Sequence, residues 1–218
     1  MDMIPIGHLV AGRVVRAYPD KDAYLVWLHE SNTFALLPKR YQDHPLKIRD
    51  SVSAAVFKYG GEYPILSQRC AHFFRKIAES VLLPALREHG ISVHRVATVE
   101  HADFVKIAIK HSDPTKDPVK VCKALIPQFT SQISRTICLV RYSQDLEAYI
   151  VNALSPAPAR AIRHIFVYRE ERRARVIVER GTIRAFLGKA ATNVATASKL
   201  TGIGIEPFDE SELAGGTT

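Results

Sequence analysis

The sequence predicts a multidomain α+β protein in which an all-β segment is followed by two α/β segments. Two observations lead to this prediction. Short apolar runs separated by turn residues fill residues 1–69, which is typical of β-strands. Beyond them, the order helix, hairpin, helix, strand occurs twice at an offset of roughly seventy residues, which indicates tandem domains. We place these at 70–142 and 143–207, and expect residues 208–218 to be a flexible acidic tail.

Composition points to a soluble protein that binds a polyanion. The 218 residues are 47% hydrophobic and carry a formal net charge of +8, which favours nucleic acid as a partner. The 3 cysteines are sparse and odd in number, which argues against a disulfide framework and for a reducing compartment. Met1–Leu9 has no signal-peptide pattern, and no apolar run is long enough to span a bilayer. We therefore expect a cytoplasmic location and no membrane partner.

The first 69 residues predict a small barrel of the OB type. Such barrels bind single strands by stacking bases on exposed aromatic rings in a basic groove. The candidates for stacking and for phosphate contact are Tyr18, Tyr24, Trp27, Phe34, Arg40 and Lys58. For each ring, a place in the barrel core is an equally good interpretation. The five predicted strands are 9–15, 24–28, 34–38, 52–59 and 64–67.

Residues 70–142 open with an amphipathic helix over 70–90, which Pro84 is expected to split or kink. A hairpin over 93–100 and 104–110 follows. Asp117 and Pro118 then fit the N-cap and first position of a helix over 119–125. A strand over 137–140 completes the segment.

Residues 143–207 repeat this order and contain the most informative stretch of the chain. A helix over 143–154 and a hairpin over 163–169 and 175–179 precede Ile183, Phe186 and Leu187, which recur at helical spacing. A short glycine-containing loop, 188–191, leads to a second helix that Gly202 ends, and 203–205 is the closing strand. Strand, helix, Gly-x-x-Gly loop, helix, strand is the core of a KH domain, in which the loop lets a nucleic-acid backbone approach closely. Here Ala191 replaces the second glycine.

Several stretches resemble the bacterial transcription factor family NusA, and the likeness covers nearly the whole chain. They are Ser112-Asp113-Pro114 with Asp117-Pro118-Val119, Tyr142-Ser143, Val151 to Ala157 (VNALSPA), Leu187 to Val194, Lys199 to Gly202 (KLTG) and Ile65 to Gln68. The resemblance implies an S1-type OB barrel followed by two tandem type II KH domains. It also implies no enzyme activity and no cofactor.

By this resemblance, the protein would hold single-stranded nascent RNA and act in transcription elongation, termination or antitermination. RNA polymerase or other elongation factors would be further partners. RNA would lie along the loop of the second KH domain, with Arg184 and Lys189 on phosphates, Asn193 near a base, and Gly188, Ala190 and Ala191 forming the loop.

Two departures from the family pattern carry their own expectations. The chain starts at the barrel, so the family's N-terminal polymerase-binding domain is expected to be missing. In the first KH domain the Gly-x-x-Gly falls on Ala124 to Pro127, where both glycines are lost. Since Pro127 supplies no N–H, we expect this loop to have lost its phosphate contacts. That loss supports a second hypothesis, a repurposed RNA- or ribosome-associated protein or a protein–protein adaptor.

Catalytic and metal-dependent functions find little support in the sequence. His89, His94, His101 and His111 match no compact ligand spacing, and no cysteine pair accompanies them. Cys70 and His72 are close in sequence, which does not establish the geometry of a nucleophile and its base. We therefore predict neither a metal site nor a catalytic residue.

Overall fold

The computed structural model describes residues 3–99 and 103–214, and its mixed α+β chain divides into two compact units. The first unit comprises Met1–Ser80 with Ser131–Ser134, and the second comprises Val81–Thr130 with Arg135–Thr218. His101, one of the histidines weighed as a metal ligand, lies outside the described residues. Among the helices described, none has the length and apolar character needed to cross a membrane.

The first unit is a closed five-stranded barrel, as the alternating apolar pattern predicted. Its strands close in the order β1-β2-β3-β5-β4. Alternate residues such as Val10, Val14 and Val26 point inward and form the barrel core with Leu37 and Val56. The strands are β1 (Leu9–Tyr18), β2 (Ala23–Leu28), β3 (Thr33–Pro38), β4 (Ser51–Gly60) and β5 (Tyr63–Ser67).

Helix α1 (Ala71–Val81) follows the barrel and ends where the sequence predicted a break. Helix α2 (Leu83–His89) begins immediately afterwards, with Pro84 in its first turn. Proline is tolerated there because the first amides of a helix have no partner within it. Gly90 ends α2 in the left-handed conformation.

The second unit contains two three-stranded sheets with the same topology. In each sheet the middle strand pairs antiparallel with the strand before it and parallel with the strand after it. The orders are β6-β7-β8 and β9-β10-β11. The strands are β6 (Ile91–Ala97), β7 (Phe104–His111), β8 (Thr136–Arg141), β9 (Ile162–Tyr168), β10 (Arg173–Val178) and β11 (Gly204–Asp209).

The helices of the second unit follow the same order in both halves, and one core joins the two sheets. Ala108 and Val140 of the first sheet share a buried cluster with Val176 of the second and with Phe186 and Leu200 between its strands. The two sheets are therefore parts of one packed body. The helices are α3 (Pro118–Cys122), α4 (Ile126–Thr130), α5 (Leu146–Ala153), α6 (Ile183–Leu187), α7 (Thr192–Thr201) and α8 (Glu210–Ala214).

Several element boundaries differ from the sequence prediction, and those of the helices around Asp117 and Asp145 have a clear local cause. Helix α5 begins at Leu146 rather than Ser143, because the Asp145 carboxylate accepts a hydrogen bond from the Ala148 amide and caps the helix. The helix predicted over 119–125 starts at Pro118 under an Asp117 cap, as expected, but its α-helical part ends at Cys122. A 3-10 turn over Lys123–Leu125 leads directly into the short helix α4, which begins at Ile126, inside the stretch expected to be a loop.

The C-terminal end also departs from prediction. Strand β11 extends to Asp209, so residue 208 does not begin a flexible tail. The carboxylate of Asp209 accepts hydrogen bonds from the Gly181 amide at 2.7 Å and from Ser211, and these bonds hold its pKa below the usual range. The side chain of Asp209, which suggested a solvated tail, thus fixes the end of β11 to the turn at Gly181.

Candidate nucleic-acid interface

The loop between α6 and α7 has an unusual backbone. Gly188 has φ 71° and ψ 176°, Ala190 has φ 50° and Ala191 has φ 57°. The Ala191 amide donates to the Gly188 carbonyl at 3.2 Å, and the Gly188 amide donates to the Arg184 carbonyl at 2.9 Å. Three of four successive residues therefore have positive φ, which only glycine adopts without strain.

Gly188 cannot carry a side chain in this loop. A Cβ built on it would lie 2.8 Å from the Asn193 Cβ and 3.1 Å from the Asn193 nitrogen. Because both Asn193 atoms are fixed at the start of α7, the contact could not be relieved by moving a flexible side chain. A substitution at Gly188 would therefore change the loop itself and is unsuitable as a test of ligand contact alone.

The two cations predicted to contact phosphate both lie at the surface. Arg184 on α6 and Lys189 in the loop are both exposed. Neither makes an ion pair with any residue in the described ranges. Ala190 and Ala191 are exposed beside them. The loop thus presents small side chains and two uncompensated positive charges to solvent.

Asn193 occupies a different position from the one predicted. It is only 4% exposed, and its Nδ2 donates to the carbonyls of Leu154 and Phe186, each at 3.0 Å. The amide group thereby ties the end of α5 and the end of α6 to the start of α7. This burial argues against direct contact with a base in this conformation, and assigns Asn193 to holding the loop in place.

A largely apolar groove of about 690 Å³ lies beside the loop. One side is formed by Gly188, Lys189 and Ala190, and the other by Phe104 and Ile137 at the amino ends of β7 and β8. Asn193 also lines this region, and its buried Oδ1 accepts no hydrogen bond from the described residues. An apolar floor with a cation at its rim is suited to a flat, partly charged ligand such as a nucleotide.

The equivalent turn in the first half of the unit has a different conformation. Lys123 has φ −56° and ψ −38°, and Ile126 has φ −54° and ψ −42°, so the chain remains right-handed from α3 into α4. None of Ala124 to Pro127 has a positive φ. This segment is a continuous helical turn with apolar side chains, and it does not form the open loop seen at Gly188 to Ala191.

On the barrel, Trp27 and Phe34 lie on the outer surface rather than in the core. They are directly opposite each other on β2 and β3, with ring centroids 4.8 Å apart in an edge-to-face arrangement. Phe34 is 37% exposed. Arg13 is opposite Trp27 on β1 and is also exposed, so a cation and two rings form one row across three strands. Arg13 was not predicted as a site residue. The sequence signal that could have identified it is its place between the inward-facing Val10 and Val14 in the alternating pattern of β1.

The other predicted barrel residues are placed differently. Tyr24 packs against the barrel core and is half-buried, which leaves little of its face for a base. The Arg40 guanidinium lies over the Tyr41 ring, 4.8 Å from its centroid. Tyr18 has Arg16 at 5.1 Å and Lys21 at 5.8 Å from its ring. Lys58 is exposed on β4. Of the rings predicted to stack on bases, Trp27 and Phe34 are the pair that the structure brings together.

Metal-ligating side chains do not converge in the parts of the chain that the structure describes. No group of three His, Cys, Asp or Glu side chains there is arranged to hold an ion. Burial raises the pKa of the Cys122 thiol to about 11 and also raises that of Cys138, so neither is a ready thiolate nucleophile at neutral pH.

Comparison with known proteins finds relatives of one name. The transcription termination/antitermination protein NusA of Halalkalibacterium halodurans is 26% identical over 203 residues, which are 88% of this chain and 52% of that protein. NusA of Bacillus subtilis is 30% identical over 135 residues, covering 60% of this chain and 35% of that protein. NusA of Rickettsia conorii is 29% identical over 135 residues, covering 60% and 27%.

These matches show a distant, NusA-like relation. The chain spans between about 27% and 52% of the length of these curated relatives. No family model matches the sequence. A solved structure titled "Crystal structure of APE1850" matches 63% of this chain and 95% of its own at 20% identity, with a TM-score of 0.42.

Proposed function

We propose that the protein is a NusA-like RNA-binding factor that acts in transcription elongation, termination or antitermination without catalysing a reaction. In this proposal the barrel, residues 1–69, is of the S1 type, and the segments 70–142 and 143–207 are tandem type II KH domains. The observation that carries the proposal is the loop Gly188 to Ala191, with its positive φ angles and two unpaired cations beside an apolar groove. The named relatives supply the biological context.

Single-stranded RNA would lie along this loop and groove. Lys189 and Arg184 would contact phosphates, because both are exposed and uncompensated. The small side chains of Ala190 and Ala191 would let the RNA backbone approach closely, as glycine does in a Gly-x-x-Gly loop. Gly188 and Asn193 would fix the loop. On the barrel, Trp27 and Phe34 would stack bases, with Tyr24 and Arg40 in supporting positions.

A single-round transcription assay with the cognate RNA polymerase tests this function. On a template with an intrinsic terminator, the wild-type protein should change the fraction of terminated transcripts by at least about twofold. The double variant Arg184→Gln/Lys189→Gln should lose the effect, since it removes two phosphate contacts. The variant Arg87→Gln/Lys120→Gln removes the same amount of charge from exposed positions on α2 and α3. It should change termination as much as the wild type does.

A second candidate function is favoured by the closed, right-handed turn at Ala124 to Pro127. An adaptor, or a ribosome-associated protein, would not need RNA contact there. If the wild-type protein left termination unchanged and co-purified stably with a ribosomal or other protein partner, that result would contradict the transcription proposal and support the adaptor.

A further inference from the structure

A second, polar cleft of about 830 Å³ lies in the same unit, at the carboxyl ends of β7 and β8. The groove beside the Gly188 loop is lined by the amino ends of these strands. An eight-residue strand such as Phe104–His111 spans roughly 23 Å, so the cleft and the groove are at opposite ends of one sheet. The cleft is therefore a separate feature from the proposed RNA groove.

The cleft is rich in positive charge. Lys110, Lys116 and Arg141 line it, and none of them makes an ion pair with a residue that the structure describes. Lys110 and Lys116 are exposed at its rim. Three cations that face one concave surface, none within ion-pair distance of a described carboxylate, raise the local concentration of anions.

The donors of the cleft are held in place by the backbone. Arg141 donates from Nη2 to the Pro114 carbonyl at 2.8 Å, which fixes its guanidinium against the β7–α3 connection. His111 accepts at Nδ1 from the Asp113 amide at 2.8 Å, so a neutral ring carries its proton on Nε2 and can donate from it. Hydroxyl groups of Ser112 and Ser143 also line the cleft. Such a set of donors suits phosphate oxygens.

The acidic groups nearby are already engaged. Asp145 lines the cleft, and its carboxylate accepts from the Ala148 amide at the start of α5. Asp113 is adjacent, and its carboxylate accepts from the hydroxyl and the amide of Thr115, which together with nearby charges lowers its pKa. Both carboxylates keep their charge but are bound to local donors, so three cations and two engaged carboxylates leave the cleft with a small net positive charge.

We propose that this cleft is a second phosphate-binding site, and that the phosphates are those of the RNA strand held at the Gly188 loop. The identity of the ligand rests on the proposed function, whereas its phosphate chemistry rests on the cleft alone. An RNA bound in the groove is at high effective concentration for a second site on the same rigid sheet. Because a KH loop clamps about four nucleotides, the cleft would be reached only by a longer strand.

Backbone amide NMR and RNA titration together test the inference. Inorganic phosphate, added as the probe, should shift the amides of Ser112, Ser143 and Gln144 in the wild-type protein. The variant Lys110→Gln/Lys116→Gln should lose these shifts. It should bind a 16-nucleotide single-stranded RNA about five- to tenfold more weakly, with a salt slope smaller by roughly 1.4, and should bind a 4-nucleotide RNA unchanged.

The matched control is again Arg87→Gln/Lys120→Gln, which should bind both RNAs like the wild type. An unchanged 16-nucleotide affinity in the cleft variant would overturn RNA as the source of the phosphate. Cleft amides that respond to a penta-glutamate peptide but to neither phosphate nor RNA would overturn the phosphate site in favour of an acidic protein segment. If inorganic phosphate shifts the cleft amides but the protein binds no RNA, the phosphate site stands and the proposed function fails.

Discussion

Two alanines hold a backbone conformation that ordinarily belongs to glycine. Ala190 has φ 50° and ψ 35°, and Ala191 has φ 57° and ψ 19°. For residues with a Cβ, the left-handed region costs about 1–2 kcal/mol each. This strain lies in the loop proposed to contact RNA, and strained backbone is often found in binding sites.

This strain leads to a prediction on stability. Ala191→Gly should raise the free energy of unfolding by about 0.5–1 kcal/mol, because relief of strain exceeds the added entropy of the unfolded chain. Urea denaturation at pH 7 measures it. The matched control Ala195→Gly, in the interior of α7, should lower the free energy by about 1 kcal/mol. A loss of stability in Ala191→Gly similar to that of the control would contradict the conformation described.

Lys106 is a buried cation within the second unit. Its side chain is 0% exposed and its Nζ donates to the carbonyls of Ala153 and Ser155 at the end of α5. Burial lowers the pKa of Lys106 to about 8, an effect that the nearby Cys138 thiolate would oppose. The ammonium ion satisfies two carbonyls but is costly to remove from water.

The stability of the protein should therefore depend on the charge of Lys106. The folded pKa of about 8 lies below the unfolded value of 10.5, so the unfolded state binds more protons between these values and stability rises with pH there. Relative to Lys106→Met, the free energy of unfolding of the wild type should rise by about 2 kcal/mol between pH 7 and pH 9.5. Urea denaturation of both proteins at the two pH values measures this difference, and a difference independent of pH would contradict the shifted pKa.

At the scale of elements, two turns in equivalent places differ in backbone and should differ in function. Lys189 is in the open loop after α6, and Lys123 is in the closed turn after α3. Lys189→Gln should weaken binding of an 8-nucleotide RNA about three- to tenfold, because a phosphate contact is lost. Lys123→Gln should change it less than twofold. Fluorescence anisotropy measures both, and equal losses would contradict the assignment of RNA to the second turn.

The outer row of the barrel gives a further prediction at this scale. If bases stack on Phe34, Phe34→Ala should weaken binding of a long single-stranded RNA at least fivefold, within the roughly 1–3 kcal/mol measured per stacked base. The free energy of unfolding should fall by only about 1 kcal/mol, the loss of the edge-to-face contact with Trp27, so the variant stays folded. Phe166→Ala removes a ring that is 49% exposed on β9 and should leave RNA affinity unchanged. If Phe166→Ala weakened RNA binding as much as Phe34→Ala, the loss of affinity would not be specific to stacking on Phe34.

For the whole molecule, the order of elements was predictable because apolar periodicity records which faces are buried. Val10, Gly12 and Val14 alternate with exposed residues and gave β1, and Asp117 with Pro118 gave the start of α3. The start of α4 at Ile126 was not predicted, because Ile126-Pro127 reads as a break although proline fits the first turn of a helix. The end of β11 was missed because pairing with β10, a nonlocal contact, holds Asp209 in the sheet.

The candidate site was predictable in part. The glycine and the lysine of the loop were identified from the sequence, and the structure gives Gly188 a positive φ and leaves Lys189 exposed. The burial of Asn193 depends on carbonyls 39 and 7 residues away, which local sequence does not reveal. The outward direction of Trp27 and Phe34 depends on the register between β2 and β3.

The measurement that tests the central claim most directly is RNA affinity across a salt series, for the wild type and for Arg184→Gln/Lys189→Gln. If the loop holds single-stranded RNA, the wild-type affinity falls steeply as salt rises. The variant then binds at least about tenfold more weakly at low salt, with a slope of log affinity against log salt that is smaller by roughly 1.4. A variant with the same affinity and slope as the wild type would contradict the placement of RNA at the Gly188 to Ala191 loop.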